Sequence, residues 1–195
     1  MCCSLLLFFF NPDVMHGSTV MIQFDKSSYL RCPRSGSGRC SASQCPGMIV
    51  ISNDWARCGE NVFQIYHSTK PGVIRVGDYV ALYLPAARKW FSMYTNKGHL
   101  QGQCPGLPNK IYGFHRADSW CYCGAEVFRI FAEGKGNGQI IKDEDTITLY
   151  HPAGRQYLKL GAGTPTLHSC PGKCPPSNPN TYDVCVGEVF DIILK

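Results

Sequence analysis

The sequence predicts an all-β domain of twelve short strands. Three observations lead there: short apolar runs punctuated by glycine and proline, an internal repeat of about sixty residues, and cysteines that recur with the repeat. With 20 Gly and 13 Pro in 195 residues, the apolar runs are four to seven residues long, the length of strands rather than of helices. An apolar content of 44% is enough to bury one core, so the chain reads as a single domain.

The repeat is visible by direct alignment. Leu82 to Met93 reads LYLPAARKWFSM and Leu149 to Leu160 reads LYHPAGRQYLKL. Met21 to Cys32, MIQFDKSSYLRC, fits the same frame without a gap, with Tyr29-Leu30 in the place of Trp90-Phe91 and Tyr157-Leu158. Each copy runs on to a Cys-Pro-Gly triplet at Cys45, Cys104 and Cys170, then to an aromatic residue three before a second cysteine: Trp55 and Cys58, Trp120 and Cys123, Tyr182 and Cys185. Five residues further stands a phenylalanine in a strand-like run, at Phe63, Phe128 and Phe190, which predicts three equivalent core positions. In the first copy the four strands are expected around Val20 to Phe24, Tyr29 to Cys32, Met48 to Ile51 and Val62 to Tyr66. The copies span about 18–68, 76–133 and 144–195, after an apolar N-terminal arm, residues 1–17.

In copy number, copy length, a Tyr-Leu second strand after a tight turn and an E-x-F-x-I fourth strand, the chain from about Ser18 to Lys195 resembles the β-trefoil superfamily. That resemblance implies a threefold barrel capped by hairpins, a closed arrangement without exposed edges. The Q-x-W repeats of ricin-type lectins are absent. The H-P-x-G-G repeat of mussel trefoil lectins is matched only once, at His151-Pro152-Ala153-Gly154, and departs at Arg155.

Twelve cysteines predict a disulfide framework and an oxidising setting, extracellular or virion-associated. The threefold recurrence pairs Cys45 with Cys58, Cys104 with Cys123 and Cys170 with Cys185. The other six, Cys2, Cys3, Cys32, Cys40, Cys121 and Cys174, do not recur and can pair, stay free or link to a partner. Zinc is the rival, from His115 with Cys121 and Cys123 or from His168 with Cys170 and Cys174, but neither group has the C-x2-C spacing of a structural site, and no metal or cofactor is expected. The N-terminal run Cys2 to Phe10 has no preceding basic residue and no small-x-small cleavage site, so it is an atypical signal peptide at best. It is also far too short to span a bilayer, which takes about 20 residues.

Charged residues are 17% and the net charge is +5, with Lys and Arg scattered singly, a pattern that argues against nucleic acid as a partner. No nucleophile, zinc-protease or phosphate-loop motif appears, so no enzyme is expected. Gly134 to Gly138 (GKGNG) and Lys142 to Asp145 (KDED) read as surface turns. The six histidines share no repeat position and read as surface or loop residues. The candidate binding residues are Asp54-Trp55, Asp118 with Trp120, and Tyr182-Asp183. A ring beside a carboxylate suits a sugar, covering its C–H face while the carboxylate accepts from hydroxyls. The competing reading makes these rings caps on the core. Tyr29, Trp90 and Tyr157 are expected in the core. The function expected is non-catalytic carbohydrate recognition of a lectin-like kind. The alternatives are a structural subunit of a virion, matrix or filament, for which Cys2 to Phe10 would be the docking arm on a protein surface, and a trefoil-type inhibitor or signalling ligand.

Overall fold

The computed structural model describes residues 11–25, 28–33, 39–44, 61–67, 71–93, 98–101, 126–159, 165–168 and 190–194. Among them stand β1 (Thr19–Asp25), β2 (Ser28–Arg31), β3 (Ser41–Gln44), β4 (Phe63–His67), β5 (Tyr79–Leu84), β6 (Lys89–Ser92), β7 (His99–Gln101), β8 (Phe128–Ala132), β9 (Thr146–His151), β10 (Gln156–Lys159), β11 (Thr166–His168) and β12 (Phe190–Leu194), and no helix. The chain is all-β, as its turn-rich sequence predicts.

Six strands close on themselves. β1 pairs with β4, β4 with β5, β5 with β8, β8 with β9, β9 with β12, and β12 with β1, every pairing antiparallel. Closure leaves this six-stranded barrel without an unpaired edge. The other six strands form three hairpins, β2–β3, β6–β7 and β10–β11, fed by β1, β5 and β9.

The register repeats in threes. Val20 faces Phe63, Val80 faces Phe128 and Ile147 faces Phe190. Two residues on, Ile65 faces Leu82, Ile130 faces Leu149 and Ile192 faces Ile22. Side chains alternate across a strand, so this spacing sends all twelve to the barrel interior, where each is at most 1% exposed. Phe63, Phe128 and Phe190 therefore hold the equivalent core positions that the repeat predicts. The centre is aromatic: Phe63 meets Phe91 at 6.4 Å, Phe91 stacks on Phe128 at 5.7 Å, and Phe128 meets His151 at 5.4 Å.

Two expectations about the first copy change. The register sets Ile22, not Met21, at the position of Leu82 and Leu149, because Ile22 to Leu30 is eight positions where Leu82 to Phe91 and Leu149 to Leu158 are nine. The pairing of β1 with β2 shifts between Gln23 and Asp25 to absorb the missing residue. A one-residue slip turns a side chain to the other face, and Met21 accordingly packs with Tyr29 and Val62 in a cluster separate from the main core. The strand that pairs with β2 is Ser41–Gln44, a polar segment. Its half-buried Ser41, Ala42 and Ser43 carry no apolar signal, so pattern alone favoured Met48 to Ile51, which lies outside the described residues.

A second threefold device closes one end of the barrel. The Val14 N–H donates to the Ile141 carbonyl (2.8 Å), the Ile141 N–H to Ile74 (2.9 Å), and the Ile74 N–H back to Val14 (2.8 Å), a cyclic set among three fully buried residues. A turn follows each. The Ser18 hydroxyl and the Asp78 and Asp145 carboxylates accept from the N–H three residues earlier, on Met15, Arg75 and Lys142, at 2.8, 2.7 and 2.6 Å. These are local side-chain-to-backbone bonds, reaching back three residues, of the kind Ser and Asp make readily. The residue before each of them has positive φ: Gly17 at 83°, Gly77 at 94° and Glu144 at 63°. Its N–H reaches the fourth strand, at Ile65, Ile130 and Ile192. Gly77 is doubly constrained, since a Cβ there would meet Asn137 Oδ1 at 2.5 Å. Residues 13–17, set with the N-terminal arm on sequence grounds, thus carry the first of the three plug segments. KDED is the third, with Asp145 accepting from the Lys142 N–H and paired with the Lys135 ammonium, rather than a merely solvated turn.

The hairpins meet at the other end, since each of β1, β5 and β9 starts at the plug and runs into its hairpin. The Cys40 N–H donates to the Gly98 carbonyl (2.9 Å) and the Gly98 N–H to Pro165 (3.1 Å), each residue standing just before a third strand. Gly98 is required by close approach, because a Cβ would lie 2.8 Å from Pro165 and 3.0 Å from Phe91.

Cys32 and Cys40 form a disulfide across the first hairpin, with Cα atoms 4.2 Å apart and both residues fully buried. Sequence left these two unassigned because they have no counterparts in the other copies. A loop of that length is worth about 2.5 kcal/mol in the chain-entropy account. The Cys32→Ser, Cys40→Ser double variant is expected to lose at least that much in urea unfolding, with an m-value that does not fall, because its unfolded chain is freer to expand.

Candidate functional site

The six binding candidates, Asp54, Trp55, Asp118, Trp120, Tyr182 and Asp183, lie outside the described residues. So do the six cysteines of the proposed pairs, Cys45, Cys58, Cys104, Cys123, Cys170 and Cys185. Their place in the chain is nevertheless fixed by the strands around them. Each group falls between the third and fourth strand of its copy, between β3 and β4, β7 and β8, and β11 and β12.

The described residues contain a second aromatic group, on the outer face of the barrel where the first and second copies meet. Alternation along β4 and β5 sends Phe63, Ile65, Val80, Leu82 and Leu84 inward and leaves Gln64, Tyr66, Tyr79 and Tyr83 outward. Trp90 on β6 pairs directly with Tyr83, and Tyr83 with Gln64 on β4. The three rings touch: Tyr83 and Trp90 lie 5.0 Å apart and inclined at 56°, Tyr66 and Trp90 5.5 Å at 64°, and Tyr66 and Tyr83 6.3 Å at 74°. Tyr66 Oη donates to Gln64 Oε1 at 2.8 Å, and the His16 ring stands edge-on to Tyr66 at 5.0 Å.

All three rings are half-buried. Their counterparts between the second and third copies, Phe131, Tyr150 and Tyr157, are 2%, 7% and 5% exposed. Trp90 therefore departs from the expectation of a core residue, whereas Tyr29 and Tyr157 meet it at 5% each. Sequence could not separate them, since each copy carries an aromatic residue at this position and only the neighbouring strands set the exposure.

Beside this group a polar chain crosses the seam. The His67 N–H donates to His16 Nδ1 (3.1 Å), and His67 Nε2 lies 3.2 Å from Asp78 Oδ2. Burial, and then the neighbouring His67, hold His16 below the ordinary histidine pKa, so its Nδ1 remains an acceptor. His67 and His151 are buried strand residues, 6% and 0% exposed, rather than surface or loop ones. Among the described residues no three His, Cys, Asp or Glu side chains come together as a metal site.

One buried acid stands apart. Glu126, two residues before Phe128, is 2% exposed, and burial pushes its carboxyl up to about 7 against the lowering effect of its own N–H and the Ser92 hydroxyl. Asn61 holds the same offset before Phe63. Its Nδ2 donates to the Leu30 carbonyl (3.3 Å) and to Ser43 Oγ (3.5 Å), tying the barrel to the first hairpin. The offset was readable in the sequence as E-x-F and N-x-F; the burial was not.

No family model matches the chain, and no curated protein matches it either. Solved structures do. The crystal structure of the SDF2-like protein from Arabidopsis thaliana is similar with a TM-score of 0.54 at 15% identity, over 92% of this chain and 94% of that one. A Caenorhabditis elegans protein of unknown function is similar with a TM-score of 0.52 at 13% identity, over 92% and 95%. At such identities the likeness is one of fold alone, and it extends over nearly the whole of each chain.

Proposed function

We propose that the chain is a β-trefoil that works as a non-catalytic, multivalent carbohydrate-binding module. The threefold register is the observation that carries this reading. It gives the three segments between third and fourth strands the same place in the strand order, and each carries in sequence an aromatic residue with a carboxylate beside or near it: Asp54-Trp55, Asp118 with Trp120, Tyr182-Asp183. Three equivalent weak sites on one rigid barrel gain avidity on a branched or surface-bound glycan without any new contact. The Cys45–Cys58, Cys104–Cys123 and Cys170–Cys185 pairings belong to the same proposal, as clamps on those segments. Rings that cap the core instead would leave the module without these sites. A glycan array read with wild-type protein and with the Trp55→Ala, Trp120→Ala, Tyr182→Ala variant is the test. The variant is expected to lose array binding with its melting temperature held within a few degrees; a large fall in melting temperature would identify the rings as core caps.

A second reading, a subunit of a larger assembly, draws on the apolar run Cys2 to Phe10. The chain after it is fastened to the plug end of the barrel, where Asn11 Nδ2 donates to the Asp143 carbonyl at 3.1 Å. The root of such an arm, Asn11, therefore lies at the end opposite the hairpins. Removal of residues 2–10 would convert an assembled species to monomer in sedimentation if this reading holds.

A further inference from the structure

We propose that His16 is an acid-sensitive latch: its neutral ring caps the end of the β1–β4 ladder, and protonation of Nδ1 releases that end and loosens the seam between the first and second copies.

Within the strands, β1 and β4 pair at Thr19 with Gln64 and at Val20 with Phe63. Beyond them β4 is held by the turn before β1. The Gly17 N–H donates to the Ile65 carbonyl (2.7 Å) and the Ile65 N–H to the Ser18 carbonyl (3.0 Å). The next link is a side chain, His16 Nδ1, which accepts from the His67 N–H at 3.1 Å. A donor facing Nδ1 requires that nitrogen to be unprotonated, and protonation sets two donors against each other. The His16 N–H itself donates to the Gly72 carbonyl (2.8 Å), so the residue stands where the first two copies meet.

The threefold register supplies an internal comparison. His16, Val76 and Asp143 stand one residue before Gly17, Gly77 and Glu144, and His67, Ala132 and Leu194 stand two residues after Ile65, Ile130 and Ile192. In the third copy the same bond recurs with a carboxylate, since the Leu194 N–H donates to Asp143 Oδ1 at 2.7 Å. Valine has no acceptor to offer in the second. A carboxyl group keeps an acceptor oxygen whether or not it carries a proton, whereas an imidazolium has none. The capping bond is therefore permanent in the third copy and titratable in the first.

The groups facing His16 are Tyr66, whose ring is edge-on at 5.0 Å, and His67, both on β4. Behind His67 stands the Asp78 carboxylate of the second copy, 3.2 Å from Nε2, which also accepts from the Arg75 N–H at 2.7 Å. The Arg75 guanidinium is turned away, to the Gly138 carbonyl (2.8 Å). Burial, and then His67, hold His16 below the ordinary histidine value. The unfolded chain thus takes the proton first, and this contribution to stability is lost as pH falls below about 6.5.

Amide exchange of the full chain, read by NMR as protection factors at about pH 7.5 and about pH 5, tests the latch. In the wild type the His67, Gly17 and Ile65 amides are expected to lose about fivefold in protection on acidification, while Leu194 and Glu144 hold theirs. His16→Asn keeps an acceptor, Oδ1 in place of Nδ1, and does not titrate, so the loss at His67 is expected to vanish. His67 and Glu126 are present in both proteins and cannot produce the difference. A loss that persists in His16→Asn, one shared equally by Leu194, or no loss in the wild type would overturn the proposal. Should the variant not fold, the wild-type spectrum decides: the His67 amide shift is expected to titrate with the His16 ring nitrogens, and an amide that follows the His67 ring alone sinks the latch.

Discussion

Phe128→Ala is expected to destabilise the protein by about 3 to 5 kcal/mol. Phe128 is fully buried, stacks on Phe91 at 5.7 Å and 17°, meets His151 at 5.4 Å, and faces Val80 across the barrel pairing. Its ring thus joins the hairpin of the second copy to the first strand of the third. Removing it opens a cavity that neighbours in a closed barrel are poorly placed to fill, because ladders on both sides fix each strand. Chemical denaturation checks this. Phe128→Leu, which keeps most of the volume, should lose clearly less, and equal losses from the two would mean that the ring contacts, rather than the cavity, carry the effect.

The second large effect depends on pH. Glu126 is 2% exposed and its carboxyl is raised from 4.5 to about 7, first by burial, against its own N–H and the Ser92 hydroxyl. An acid whose folded pKa lies above its unfolded value penalises the folded state once the unfolded chain ionises. Below pH 4.5 both states hold the proton and nothing is lost. Between 4.5 and about 7 the unfolded chain releases it while the folded one keeps it, so stability falls as pH rises. Above about 7 the loss levels off near 3 kcal/mol, because a tenfold change in proton affinity is worth about 1.36 kcal/mol. Glu126→Gln stays neutral throughout and resembles Asn61, the amide at the same offset in the first copy. The variant should match wild type at about pH 4 and exceed it by about 3 kcal/mol at about pH 8, read as the difference in urea unfolding free energy. A constant difference between the two pH values would place the charge of Glu126 outside the folding equilibrium.

These residues also mark what sequence could and could not tell. The all-β class, the three copies and the buried Phe63, Phe128 and Phe190 follow from local information: period-two alternation, glycine and proline punctuation, and repetition itself. The plug was written there too, as G-S, G-D and E-D pairs before the first strands, but its positive-φ turns carry different letters in each copy and escape alignment. Ser41–Gln44 escaped because a short polar strand has no apolar signature, and the Met21 frame slipped because one missing turn residue is invisible until strands pair. The pairing of Cys32 with Cys40 needed the hairpin that brings them together. Exposure was decided only in three dimensions. Trp90, Tyr29 and Tyr157 occupy one repeat position, and Glu126 and Asn61 another, yet which ring stays half-open to solvent and which acid loses its water depends on side chains from neighbouring copies, and burial is a property of contacts between segments distant in the chain.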